Sequence, residues 1–317
     1  LSLRRQRQMC IRDSCFINDA KEESINTILQ LAELKNEGQL KALIVCGCLA
    51  QRYQDEIQTE IPEVDAIIGT TAIDSIVETV EAVLSGKGEN HLEDIDRPCI
   101  YGTPRSVTTG GHFAYLKIAE GCNKRCTYCI IPSVRGNYRS VPMESLVREA
   151  RKLVEGGAKE LILVAQETTV YGIDLYGEKM LPELLRKLCK IEGLVWIRLL
   201  YCYPEEITEE LIQVMKQEPK VCHYLDMPIQ HASDKILAKM GRRTRREELE
   251  GIIGRLREEI PDICLRTTLI SGFPGETEKD HEELLDFVNL MEFDRLGVFT
   301  YSCLLYTSDA ADEGLGV

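Results

Sequence analysis

An α/β fold in two regions is predicted, and three observations predict it. Short apolar, β-rich runs alternate with amphipathic helical stretches along most of the chain. A polar stretch with scattered Gly and Pro, residues 89–111, interrupts that alternation once and reads as a linker. The 317 residues are 44% hydrophobic, enough for one large core or two modest ones. The expected organisation is a smaller α/β domain over 15–88 and a larger one over 112–302.

In the first region "FINDAKEESINTILQLAELKNEG" places Ile25, Ile28, Leu29 and Ala32 at helical spacing and meets its stop signal at Gly38. "KALIVCGCLA" reads as a buried strand, with Cys46 a buried thiol within it. "VDAIIG" followed by "IDSIVETVEAVLSG" repeats strand then helix, the mark of a parallel sheet flanked by helices. In the second region the strand-like runs are "FAYLKIA", "LILVAQ", "WIRLLY", "HYLDMPI", "CLRTTLI" and "RLGVFTY". Between them lie "MESLVREARKLVEGG", "LPELLRKLCKIEG", "TEELIQVMKQ", "RREELEGIIGRLREEI" and "EKDHEELLDFVNLM", each amphipathic at helical spacing. Six strands and five helices make an opened or partial (βα)6 barrel. A flat doubly wound sheet has the same alternation, and periodicity does not separate the two. In both, chemistry collects at the C-terminal strand ends.

Composition narrows the function classes. Asp and Glu number 52 against 38 Lys and Arg, a net charge of −14. Such a surface repels phosphate backbones and favours a basic partner, although the same count also simply keeps a protein soluble. No apolar run approaches the roughly 18 residues of a membrane span, so no membrane is expected. The opening "LSLRRQRQMCIRDS" lacks the apolar core of a signal peptide, which makes the cytoplasm the expected compartment. Thirteen scattered cysteines, an odd number, do not form a disulfide framework; metal or redox chemistry uses them better. Residues 1–14 and 303–317 break the neighbouring patterns and resemble translated sequencing-adapter DNA. They are set aside as non-native, together with Cys10 and Cys303.

The densest signal is "IAEGCNKRCTYCIIPSVRG", where Cys122, Cys126 and Cys129 follow the first strand of the second region. A structural zinc site wants four closed ligands, usually as two separated Cys pairs, and the next cysteine downstream is Cys189. A disulfide leaves an odd thiol. An iron–sulfur cluster on three cysteines leaves one iron open for a substrate or cofactor, and that use fits the spacing best.

With Tyr128 before its last cysteine, the loop resembles the C-x3-C-x-aromatic-C signature of radical S-adenosylmethionine (SAM) enzymes. "CNKRCTYCIIPSVRGNYRSVP", "LVAQETTVYGIDLYGE", "MPIQHASDKILAKMGRRT" and "TTLISGFPGETE" are similar to the methylthiotransferases of that superfamily over about residues 15–302. "PSVRG", "AQETT" and "PIQHAS" side with the branch that modifies a ribosomal protein rather than tRNA. The resemblance implies a [4Fe–4S] cluster on Cys122, Cys126 and Cys129 whose open iron binds SAM and reduces it to a deoxyadenosyl radical, with Tyr128 beside the adenine. It implies addition of a methylthio group to the β-carbon of an aspartate in the twelfth small-subunit ribosomal protein, a basic partner; a tRNA adenosine is the alternative substrate. It implies an electron donor such as flavodoxin or ferredoxin. It also implies a second [4Fe–4S] cluster in the N-terminal domain, with Cys48 of "CGCLAQRY" as one ligand. The preceding ligand position falls on Ser14, with Cys15 one residue beyond. The expected outcome for this chain is the SAM cluster without the second one, and no sulfur insertion. The family's C-terminal TRAM barrel is expected to be absent after "VFTYS".

Other residues carry paired readings. Gln166 and Glu167 end the second barrel strand, where they meet the amino end of SAM or cap the next turn. Arg198, inside an apolar strand, needs a partner: a SAM carboxylate or an internal carboxylate. Gly272, with Gly275, permits close backbone approach of SAM or forms a turn before a helix capped by Thr277 and Asp280. His231 satisfies loop backbone or binds substrate. "RGNYRS" and "GRRTRRE" read as solvated basic islands, and Cys189, Cys202, Cys222 and Cys264 as small core residues.

Overall fold

The structure, a computed structural model, describes residues 18–99, 101–102, 107 and 109–301. Cys10, Ser14, Cys15 and Cys303 lie outside the described residues. The chain forms two compact units: residues up to 100 together with 128–137, and residues 101–127 together with 138–301.

The first unit begins with α1 (Asn18–Asn36), which ends two residues before Gly38. Strand β1 (Ile44–Cys46) pairs in parallel with β2 (Ala66–Ile68), Val45 opposite Ile67. Between them come α2 (Cys48–Arg52) and α3 (Gln54–Glu60); α4 (Ile76–Leu84) follows a 3-10 turn. The core joins Ile28 and Ala32 of α1 to Leu43, Val45, Leu49, Ile57 and Ile67. Leu29, grouped with these by spacing, is instead 43% exposed. Cys46 is also exposed, against expectation. Strand alternation turns Val45 into the core, so its neighbour must face the other way.

The second unit carries β3 (Phe113–Lys117), β6 (Glu160–Val164), β7 (Trp196–Leu199), β8 (Val221–Asp226), β9 (Cys264–Ser271) and β10 (Arg295–Thr300). All pair in parallel, in the unbroken order β3-β6-β7-β8-β9-β10. That order decides between the two architectures. A doubly wound sheet reverses direction at a switch point, whereas sequential right-handed crossovers keep every helix on one face and curl the sheet into a barrel arc. The covered face buries Leu116, Leu161, Leu163, Leu199 and Leu225 completely or nearly so. Each such leucine contributes about 2 kcal/mol by leaving water. The helices α6 (Met143–Glu155), α8 (Leu181–Cys189), α9 (Glu209–Gln217), α11 (Arg246–Glu259) and α12 (Glu278–Met291) are the five expected from periodicity.

Smaller elements were not legible. Strand β4 (Ala119–Glu120) pairs antiparallel with β5 (Arg139–Ser140) at the two ends of the cysteine segment. Short helices α5 (Ile131–Arg135), α7 (Ile173–Tyr176) and α10 (Asp234–Lys239) fill connections. Cys202 is buried as expected, but Cys189, Cys222 and Cys264 are only half-buried. Cys222 and Cys264 stand one residue out of phase with buried Val221 and Leu265, on the uncovered side of the sheet.

Candidate functional site

Strand β3 and the two-residue β4 deliver the chain to Cys122 at the C-terminal side of the barrel arc. Cys122 is 6% exposed and Cys126 5%. Burial pushes the Cys122 thiol up to about 11, partly offset by the Lys124 N–H, which donates to its sulfur at 3.5 Å. The Tyr203 hydroxyl stands 3.7 Å from Cys126 Sγ. The loop is pinned on both sides. The Thr127 N–H donates to the Met240 carbonyl at 3.0 Å and the Thr127 hydroxyl to the Lys239 carbonyl at 2.9 Å. Lys124 Nζ pairs with Glu205 at 3.2 Å and also with Glu206, which Lys179 holds at 2.7 Å. The Tyr138 N–H donates to Asn123 Oδ1 at 3.0 Å. Tyr128 and Cys129 are half-buried in segment 128–137, which packs with the first unit.

Among the described residues no three His, Cys, Asp or Glu side chains converge as metal ligands. The fit to a cluster therefore rests on the donors themselves. Thiols buried in low dielectric ionise when a cation arrives, and donors aimed at their sulfurs stabilise the thiolate that results.

Gln166 and Glu167 follow β6. Gln166 Nε2 donates to Glu120 Oε1 at 3.1 Å, which leaves Gln166 Oε1 buried without a partner. Glu167 is 1% exposed; its Oε1 accepts the Thr169 N–H at 3.1 Å and the Thr169 hydroxyl, while Oε2 is buried and unpartnered. Burial pushes this carboxyl up to about 7, against the Thr169 hydrogen bonds and the Lys124 charge. Two acceptor oxygens without donors at one strand end suit a cationic ligand group such as an ammonium.

Arg198 has an internal partner, Glu160 at 2.6 Å, and lies over the Tyr224 ring with Cζ 4.7 Å from its centroid. Gly272 has φ +78 and open space where a side chain would begin. Its N–H and that of Phe273 donate to Glu276 Oε2 at 2.7 and 2.9 Å, and Thr277 and Asp280 form the expected capping box of α12. The turn and the approachable backbone therefore coexist. His231 is fully buried, with Nδ1 accepting the Ser233 N–H at 2.9 Å, the loop-satisfying role. In the first unit Cys48 opens α2 after Gly47, whose φ of +106 only glycine adopts readily, and Arg135 Nε donates to its sulfur at 3.1 Å.

Arg242 corrects the solvated-island reading. It is 7% exposed, donates to the Pro228 carbonyl and lies over the Tyr203 ring. Sequence reasoning also passed over Lys124, Tyr203, Glu205 and Glu206. Their signal was faint: a lysine inside the cysteine spacing and a Tyr-Pro-Glu-Glu string just past a strand end.

Comparison with known proteins identifies the family. Residues 116–288, more than half of the chain, match the radical SAM superfamily. Residues 3–69 match a family described as uncharacterized protein family UPF0004. The chain is 66% identical over 292 residues to the ribosomal protein uS12 methylthiotransferase RimO of Lachnoclostridium phytofermentans, covering 92% of this chain and 66% of that protein. It is 50% identical over 310 residues to the RimO of Clostridium botulinum strain Hall, covering 98% and 70%. The chain thus spans about two thirds of the length of these curated relatives. Among solved structures it is similar to the radical SAM methyltransferase TsrM of Kitasatospora setae, with a TM-score of 0.61 at 16% identity over 81% of this chain and 55% of that one. That likeness speaks for the fold alone.

Proposed function

Because this chain belongs to the radical SAM superfamily and, within it, to the RimO family of ribosomal protein uS12 methylthiotransferases, we propose that the full-length protein with all its auxiliary cysteines adds a methylthio group to the β-carbon of an aspartate in the twelfth small-subunit ribosomal protein. The observation that supports the reading most is the sequence spacing Cys122-x3-Cys126-x2-Cys129, with buried Cys122 and Cys126 at the C-terminal side of a parallel barrel arc and the buried Glu167 carboxyl close enough for its charge to act on Cys122.

A [4Fe–4S] cluster held by Cys122, Cys126 and Cys129 supplies, when bound, the single electron that breaks a carbon–sulfur bond of SAM. The chain's own residues prepare that event. Gln166 Oε1 and Glu167 Oε2 would accept from the SAM ammonium, which would satisfy two oxygens otherwise buried at a cost of about 1–3 kcal/mol each. Gly272 offers bare backbone to the nucleoside. Tyr128, the aromatic residue of the cysteine signature, would lie beside the adenine, as the resemblance implies. Arg198 is engaged by Glu160 at 2.6 Å. Low exposure at Cys122, Cys126 and Glu167 excludes water from a site where stray hydrogen donors would end the reaction.

Sulfur insertion draws on the second cluster, for which Cys48 is the one ligand among the described residues. Arg135 beside its sulfur favours the thiolate. Ser14 stands at a ligand position and serine is a poor ligand for this iron, so this chain holds a single cluster and does not insert sulfur. An electron donor of the flavodoxin or ferredoxin type completes the reading.

The test is incubation of a full-length protein, with all auxiliary cysteines present and both clusters reconstituted, with SAM, reductant and either uS12 or tRNA. One methylthio group gained by uS12 at an aspartate is the expected mass result. Gain on tRNA alone would transfer the chain to the tRNA-modifying branch, and gain on neither would overturn the activity.

A further inference from the structure

We propose that Tyr203 is a positioning residue of the cysteine loop: its hydroxyl donates to the Cys126 sulfur and thereby raises the reduction potential of the cluster held there. The proposal rests on the reading of Cys122, Cys126 and Cys129 as cluster ligands.

Tyr203 stands four residues past the end of β7 and opens the Pro204–Glu206 turn. Its N–H donates to Thr169 Oγ1 at 3.3 Å, which ties it to the connection after the neighbouring strand. Its hydroxyl lies 3.7 Å from Cys126 Sγ. Two cations lie against the ring, Lys124 Nζ at 4.9 Å and Arg242 Cζ at 4.3 Å from its centroid. Both cations are fixed. Lys124 is held by Glu205 and Glu206, and Arg242 is buried and bound to the Pro228 carbonyl.

Three effects then point the same way. Cations near the ring are attracted to its π-density and polarise it, which makes the phenol a stronger hydrogen-bond donor. A hydrogen bond to a ligand sulfur withdraws charge from the iron–sulfur unit, and this favours the reduced state, which carries one more negative charge. The Lys124 charge, which acts on the neighbouring Cys122 thiol, favours that state further, because a low-dielectric surrounding screens it little. The carboxylates of Glu205 and Glu206 oppose the Lys124 charge, so the hydroxyl is the part that a single substitution isolates. Tyr203→Phe keeps the ring, the flanking cations and the packing, and removes only the donor.

The experiment is a mediated redox titration of the chain reconstituted anaerobically with ferrous iron and sulfide, with iron content measured beside the midpoint. Tyr203→Phe is expected to hold as much iron as the wild type while its midpoint moves to more negative potential. Equal iron with an unmoved midpoint overturns the proposal. If Tyr203→Phe holds no iron, Tyr203→His, which retains a ring N–H donor, decides: restored uptake supports the donor role, and loss in both reduces Tyr203 to packing. A wild type that takes up no iron at all is a different failure, that of the ligand assignment itself.

Discussion

Glu167 shows how one buried side chain carries chemical information. A carboxyl that is 1% exposed, with one oxygen satisfied by Thr169 and the other by nothing, has an acceptor to spare, and the proposed function gives it the SAM ammonium. Glu167→Gln keeps an acceptor oxygen but removes the charge. It is expected to weaken SAM binding to the reconstituted chain by roughly 10- to 100-fold, the worth of one charge-assisted hydrogen bond, and anaerobic equilibrium dialysis reads this directly. An affinity unchanged from wild type would remove Glu167 from the cofactor site. His231 makes a prediction of another kind. Burial lowers its pKa, Glu276 and Asp280 pull it up, and His281 opposes them. The unfolded chain therefore binds a proton more readily than the folded one, so this histidine costs stability as pH falls below about 6.5. Glu276 and Asp280 are themselves lowered and act in the more acidic carboxylate range. His231→Gln should flatten the stability curve below about pH 6.5 in urea unfolding, and a curve parallel to wild type would contradict the buried neutral imidazole. At this scale the sequence was a fair guide to acceptors at strand ends and a poor one to Tyr203 and Arg242. Their partners come from loops dozens of residues away, and no local pattern encodes such a meeting.

Among the elements, α12 was legible in full, because each of its signals is local. The Thr277–Asp280 spacing announces a capping box, Gly272 and Gly275 announce the turn before it, and both appear. Thr277→Ala removes the hydroxyl that accepts the Asp280 N–H at 3.4 Å and donates to Asp280 Oδ2 at 2.6 Å. The expected loss is about 1 kcal/mol by denaturant titration, and a loss below the error of that titration would show that the cap is redundant. The β4–β5 pair marks the opposite limit. Two residues per strand carry no periodicity, and their register, Ala119 with Ser140 and Glu120 with Arg139, is set by tertiary structure. Cys46 was misread for a related reason: in a three-residue strand the alternation has no room to declare which side faces the core.

Across the whole molecule, the six strands and five helices of the larger unit were counted from the sequence, but their order in space was not. Consecutive pairing from β3 to β10 is a fact of packing, and it separates a barrel arc from a doubly wound sheet of identical periodicity. The same scale bounds what this chain does with metal. If Ser14 takes a ligand position of the second cluster, as proposed, anaerobic reconstitution should end near four irons per chain, the content of one cubane; about eight would mean that a second cluster assembles regardless, with Cys15 the nearest substitute. The account as a whole turns on three thiols that leave one iron open to SAM. Its most direct measurement is the deoxyadenosine formed when the reconstituted chain is mixed with SAM and dithionite, wild type beside Cys126→Ala. The wild type is expected to produce deoxyadenosine and the variant only background; equal yields from the two, or none from a wild type that binds zinc in place of iron, would contradict it.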